Sequence, residues 1–320
     1  MIREEQEWPR AATKFVIAFA LLSLVFLNND ITLARIEEQL AKARGEIHKA
    51  IVEKSLASRN TNGSYIREGT IYKNPFAFFQ SHTEMIKTFK IWSYKEGEIP
   101  FVHNGPMKYV YSVEGDFIEE MERKGNPMGA RHPDEAHAFF IPISITNIIY
   151  YLFKPDEAIG FKQRIQAIVE DYIGVIAERY PYWNHSNGAD HFFVSCHDWG
   201  PSISLGNPKL FKNFIRVLCN ANSSEGFIPI RDVSMSEING PFDNIPQFSV
   251  QIPVDKIPEI KRILQKIPFS KYLEMQKKVI EVQRHFIVNL PAKHFDVLHM
   301  ILHSVWLRRL NVQLNSFNSP

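Results

Sequence analysis

The stretch YPYWNHSNGADHFFVSCHDWG, Tyr180 to Gly200, decides the fold. An aromatic, proline-punctuated approach passes through a polar turn into the short apolar run His191 to Cys196, and His197, Asp198, Trp199 and Gly200 cut that run off. This is the pattern of a buried strand delivering polar groups at its carboxyl end. In open α/β sheets ligands lie outside the carboxyl ends of the strands, so Asp190, His191, His197 and Asp198 are the candidates for chemistry. The same residues also fit a plainer role, with Asp190 capping a turn and His197 and Asp198 ending a strand.

Outward from this stretch the chain alternates. Ala138 to Ile143 is an apolar strand preceded by a turn at Pro133. Phe161, Ile165, Ile168, Tyr172 and Val175 recur every three to four residues, a helix that ends near Arg179 ahead of Pro181. Ile215 to Cys219 is the next strand. Strand, helix, strand in this order predicts an α/β fold with a parallel sheet. Lys90 to Tyr94 and Tyr109 to Tyr111 are further short strands, and a helix starts near Gly115. No G-x-G-x-x-G or Walker A run occurs, which removes the dinucleotide and P-loop classes.

Four stretches carry a resemblance: Tyr180 to Gly200, Ile215 to Phe227 (IRVLCNANSSEGF), Asp232 to Glu237 (DVSMSE), and the tail from Gln283 to Arg309. Together they resemble the plant exostosin-like glycosyltransferases, glycosyltransferase family 47, from about residue 75 onward. The resemblance implies a Golgi type II membrane enzyme with two Rossmann-type halves (GT-B). Such an enzyme moves a sugar from a nucleotide-sugar donor onto a polysaccharide or glycan acceptor. It also implies that the first half carries the base and the acceptor cleft, and that the diphosphate site in the second half has no obligatory metal or cofactor.

Inverting glycosyl transfer needs a base for the acceptor hydroxyl and dipoles or cations for the leaving diphosphate. Asp198, His197, Asp190 and His191 are the catalytic candidates. Trp183 and Trp199 offer sugar-stacking faces or core packing, and Asp232 and Glu237 are the next substrate-binding candidates. Arg216 reads as a structural partner.

The family pattern breaks after Glu237. Its members continue into a donor segment with a Cys-Pro-x-Gly loop, a Ser-x-Arg pair and a Glu-Ala-Ile helix; here Gly240 joins directly to Pro241 and Phe242. The expectation is a GT-B-like domain whose second, donor half is truncated. Residues 75–240 would be the acceptor half and 241–320 the donor remnant. Phe248 to Val254 reads as a strand. Tyr272, Met275, Val279, Val282 and Phe286 form one helical stripe, and Phe295, Leu298, Leu302 and Val305 another. With partner surface missing, these helices should either expose an apolar face or re-dock.

The amino-terminal region reads as a cytosolic tail at 1–14, a signal anchor at 15–27, a helical stem at 31–56 and a linker at 57–74. Arg10 and Lys14 precede the apolar run and Asp30 follows it, so the bulk of the chain should be luminal, single-pass type II in the Golgi membrane. Leu33, Ile36, Leu40, Ala43, Ile47 and Ala50 make an a/d stripe that fits a self-associating stem and equally a single solvated helix. The sequons at Asn62, Asn184 and Asn222 agree with a luminal address.

Net charge near +2 on 320 residues, with no basic block, excludes a dedicated nucleic-acid partner. His132, Asp134, Glu135 and His137 invite a metal reading, but their spacing and Pro133 speak for a turn and for no metal. Cys196 and Cys219 are either two buried thiols or one bridge.

Overall fold

A computed structural model describes residues 32–54, 71–157, 159–235 and 250–312. The expected anchor at 15–27, Glu237, Asn62 and the junction at 240–241 lie outside these residues. Among the described residues no helix is long and apolar enough to cross a membrane.

In chain order the elements are α1 (32–53), α2 (Pro75–Thr88), β1 (Ile91–Ser93), α3 (Ser112–Glu122), β2 (Ala138–Phe140), α4 (Ile145–Leu152) and α5 (Phe161–Arg179). They continue with α6 (Tyr182–Ser186), β3 (His191–Ser195), α7 (Gly200–Ile203), β4 (Ile215–Leu218) and β5 (Val233–Ser234). The carboxyl-terminal part is α8 (Ile260–Gln265), α9 (Phe269–Gln283) and α10 (Val297–Asn311). The fold is α/β: five strands pair in the order β1-β2-β3-β4-β5, every pair parallel.

Alternate residues of each strand enter different cores, as strand geometry requires. Ile91, Ala138, Phe140, Phe192, Val194, Ile215 and Val217 face one side, where α1, α2, α3 and α10 cover them. Phe139, Ile141, Phe193 and Leu218 face the other, under α4, α5 and α6. Burial on both faces explains why the strands read as continuous apolar runs. The strand order never reverses, so the sheet itself creates no topological switch point. The loops at its carboxyl edge must form any crevice.

Several expectations change. Tyr109 to Tyr111 is not a strand: Tyr109 has φ 66° and Tyr111 caps α3. The buried stripe of α5 is Phe161, Ile165, Val169, Ile173 and Ile176, one position on from the expected Ile168, Tyr172 and Val175 in its second half. An ideal helix drifts relative to a 3.5-residue repeat, and the drift moves the stripe. Residues 250–253 are irregular and Val254 opens a 3-10 turn, so the described part of the expected strand at 248–254 is not one.

The stripe of α1, expected as a free stem, is used inside the domain. Ile36, Leu40 and Ala43 join the core with α10. Arg309 donates to Glu37 Oε1 at 2.7 Å, Arg44 to the Leu310 carbonyl at 2.7 Å, and the His137 ring meets Gln39 at 2.9 Å. The three- to four-residue spacing cannot say which apolar surface it meets.

The two tail helices part company. α10 re-docks on the sheet, burying Leu298, Ile301, Leu302, Val305 and Trp306. On α9 only Val282 is fully buried, while Phe269, Tyr272, Leu273, Val279 and Ile280 are exposed.

Candidate active site at the carboxyl edge of the sheet

The four catalytic candidates separate into two pairs. At about 3.3 Å per residue, the five residues of β3 put roughly 17 Å between Asp190 and His191 at its amino end and His197 and Asp198 at its carboxyl end. The expectation that one strand end gathers all four is therefore corrected. A run that reads as one motif spans the full length of the strand.

The amino-end pair is locked into the core. His191 Nδ1 lies 2.7 Å from Asp190 Oδ1, its Nε2 lies 2.8 Å from the Tyr94 hydroxyl, and its ring stacks on Phe139 with centroids 4.8 Å apart. Ser186 also donates its hydroxyl to Asp190. Burial pushes the Asp190 carboxyl up, but the His191 imidazole, with Arg309 and the Ser186 hydroxyl, more than offsets it and holds the group below the usual carboxylate range. Burial likewise pushes the Tyr94 phenol far up.

Trp183 belongs to this core as well: it stacks on Phe214 at 5.7 Å and touches the His191 ring at 4.8 Å. A Cβ on Gly188, where φ is 80°, would stand 2.9 Å from its indole. That glycine lets the turn close over the ring and leaves no space for a sugar there.

The carboxyl-end pair is accessible. Asp198 is exposed and His197 half-buried. The Tyr111 hydroxyl donates to Asp198 Oδ2 at 3.2 Å, and Asn220 Nδ2 donates to the Asp198 carbonyl at 2.7 Å and to Glu225 at 2.6 Å. His197 Nδ1 accepts the Trp199 amide at 3.1 Å, and its ring lies 5.1 Å from Tyr111 and 5.6 Å from Trp199. Burial lowers the imidazole pKa despite the neighbouring Asp198. The pair thus offers a solvent-facing carboxylate and an imidazole biased toward its neutral form, beside the half-buried Trp199.

The frame under this edge holds two features. Cys196 and Cys219 are disulfide-bonded, tying the ends of β3 and β4 and deciding the alternative left open by the sequence. Glu114 of α3, fully buried, accepts from the Thr146 amide at 3.0 Å, the Thr146 hydroxyl at 3.0 Å, the Cys196 amide at 2.9 Å and the Ser144 hydroxyl. It joins α3, the start of α4 and the residue before His197. Burial raises its pKa, with these four donors opposing. The sequence reading missed Glu114, yet a signal existed: it lies three and four residues before Phe117 and Ile118, on the buried face of α3.

The remaining candidates lie elsewhere. Asp232 is fully buried, with Arg216 Nε and Arg231 Nε each 3.0 Å from Oδ1, the Ile228 amide 2.7 Å from Oδ2, and Arg216 Nη2 on Oδ2. Arg216 also donates to the Pro201 and Gly226 carbonyls, each at 2.7 Å. Asp232 therefore sits inside a structural ion pair with no exposed surface of its own. Asn184 is exposed on α6, but the hydroxyl of Ser186, two residues on, is committed to Asp190. Asn222 is exposed and caps the 3-10 turn Ser223–Glu225. His137 fills its place with the Lys90 amide and Gln39. Among the described residues no three His, Cys, Asp or Glu side chains converge as a metal site.

A parallel α/β sheet with an acid, an imidazole and aromatic faces at its carboxyl edge has its polar groups where α/β proteins bind ligands. Residues 65–245 match the Exostosin GT47 domain, and the chain belongs to this family of glycosyltransferases. It is 34% identical to the probable glycosyltransferase At5g03795 of Arabidopsis thaliana, over 88% of this chain and 73% of that protein. It is 33% identical to the probable glycosyltransferase At3g07620 of the same plant, over 88% and 82%. A shorter match, 39% identical over 28% of this chain and 21% of the relative, is to the probable beta-1,4-xylosyltransferase IRX10 of Arabidopsis thaliana. No solved structure matches the chain.

Proposed function

We propose that the carboxyl edge of this sheet is the acceptor side of a glycosyl transfer, with Asp198 as the base. The single observation that carries this reading is the solvent-facing Asp198 carboxylate held by the Tyr111 hydroxyl at the end of β3. In the reaction an acceptor hydroxyl gives its proton to Asp198 while its oxygen bonds to the anomeric carbon of a nucleotide sugar. The bond from that carbon to phosphate breaks, and the diphosphate leaves with the electron pair. His197 and Trp199 line the acceptor. Relatives named as probable xylosyltransferases and glucuronoxylan glucuronosyltransferases support a cell-wall polysaccharide as the acceptor. A glycoprotein glycan uses the same hydroxyl chemistry. The apolar run at 15–27 and its charged flanks support a single-pass type II place in the Golgi membrane with this edge luminal.

One observation favours a second reading, a membrane-anchored glycan-binding protein without transferase activity. The match to the first relative spans 385 aligned positions but only 88% of this chain, which leaves roughly a hundred positions opposite gaps, about a small domain. The unpartnered apolar residues of α9 fit a missing donor half. Detergent-solubilised full chain, incubated with UDP-xylose or UDP-glucuronic acid and xylohexaose, separates the two. Mass shifts of one sugar that vanish in Asp198→Asn support transfer. No product, and no calorimetric heat with nucleoside diphosphates at millimolar concentration, supports the binding protein.

A further inference from the structure

A second feature of the carboxyl edge is absorbed by neither the base nor the frame beneath it. Three tyrosines stand in solvent around one open cleft of about 420 Å³: Tyr109 at 83% exposure, Tyr150 at 58% and Tyr151 at 64%. Clefts of about 300–1,000 Å³ are the usual size for small-ligand sites. Tyr150 and Tyr151 project from the last turn of α4, and Tyr109 comes from the loop that ends two residues later at Tyr111, the partner of Asp198.

The loop is built to present Tyr109. A non-glycine residue at φ 66° is held against its preference, a condition that persists only where the surroundings enforce it and that clusters at ligand clamps. The surroundings here are close. A Cβ on Gly115 would stand 2.2 Å from the Pro106 carbonyl oxygen, so the loop lies directly on the first turn of α3. Among the described residues none of the three tyrosine hydroxyls has a hydrogen-bond partner, and Lys108 beside them has no carboxylate partner.

We infer that this cleft is an acceptor subsite that holds a β-1,4-linked pyranose chain, its sugars lying on the tyrosine rings. A pyranose ring turns C–H bonds from its face and hydroxyls from its rim. The negative face of an aromatic ring attracts the first, and free phenol hydroxyls and Lys108 take the second. Tyr109 stands two residues ahead of Tyr111, whose hydroxyl holds Asp198, so the loop that lines the cleft also reaches the base. This assignment rests on the reading of the edge as an acceptor site and adds where the acceptor's unreacted sugars sit.

The test is calorimetric titration of the detergent-solubilised full chain with xylohexaose and with cellohexaose, without nucleotide sugar. Saturable binding of at least one is expected. Tyr150→Ala, Tyr151→Ala and Tyr109→Ala should each weaken it about fivefold to tenfold, the worth of one aromatic contact, while the phenylalanine variants stay within about twofold to threefold. All three positions changed carry exposed side chains, so the melting temperatures of the six variants should stay unchanged. Binding of neither hexaose, or alanine variants that bind like the parent, would overturn the assignment. So would tyrosine variants that abolish only a concentration-dependent dimer mass, which would make the patch a contact between copies. Transfer assays on Asp198→Asn report on the base independently, so the base can fail while the subsite stands, and the reverse.

Discussion

Tyr111, the residue ahead of α3, reaches the end of β3 and donates its hydroxyl to Oδ2 of Asp198 across 3.2 Å. The contact links residues 87 positions apart and brings the β1–β2 connection to the one accessible carboxylate of the central strand. If that carboxylate is the base, Asp198→Asn should lower the transfer rate by about a hundredfold to ten-thousandfold, the usual worth of positioned proton transfer. Tyr111→Phe, which removes only the hydroxyl, should cost far less and should shift the pH dependence of the rate. Product quantified from labelled nucleotide sugar checks both, and an unaltered rate in Asp198→Asn removes the base assignment.

Asp232 is expected to matter for folding and not for substrate. Its carboxylate lies against Arg216 and Arg231 with no exposed surface. Removing one partner of such a buried pair strands the other, at about 3–5 kcal/mol. Urea unfolding of Asp232→Asn should show that loss, while whatever protein remains folded keeps its affinity for oligosaccharide. A stable variant that has lost glycan binding would return Asp232 to the substrate site.

Acid should loosen the packing of α10 against α2. Burial holds His82 at about 2, His303 at about 4 and, at the turn before β2, His137 at about 3. Their unfolded value is near 6.5. A histidine with a depressed folded pKa binds more protons unfolded. Its contribution is therefore complete above about pH 6.5 and is lost as pH falls toward the folded values. At pH 5 each costs about 2 kcal/mol relative to neutral pH. His82, whose ring stacks on Phe295 at 4.1 Å and whose Nε2 has no partner among the described residues, is the site to change. His82→Phe should flatten the fall in melting temperature between pH 7.5 and 5, and an unchanged slope would show that other groups set it.

The disulfide should be measurable in the same way. Cys196 and Cys219, 23 positions apart in sequence, close the loop between β3 and β4, for which chain entropy gives about 3 kcal/mol. A Cys196→Ser, Cys219→Ser double variant should unfold at correspondingly lower urea, and reductant should bring the parent toward it without affecting the variant. Equal midpoints for parent and variant would count against the bridge.

Much of the fold is written locally. The apolar runs at Ala138, His191 and Ile215, too short for helices, and the 161–179 helix between them could only become strands of a parallel sheet with a covering helix, because two-sided burial demands uninterrupted apolar strands. The family, too, is legible in the residues around Tyr180 to Gly200 and Ile215 to Phe227, since motifs of that length survive in linear order.

What the sequence could not assign is which groups meet. Asp190 and Asp198 are near neighbours in the chain and stand at opposite ends of β3, whereas Tyr111 and Asp198 are far apart in the chain and touch. The stripe of α1 has the spacing of a free coiled coil and is buried under α10, since periodicity fixes the face of a helix but not its partner. Glu114 looks like one more acid on a mixed helix until Ser144, Thr146 and Cys196 close around it. Hydrophobic pattern is a property of neighbours along the chain and determined the elements. Hydrogen bonds and burial are properties of neighbours in space, so only the packed sheet could choose between a charge that binds substrate and one that holds the frame.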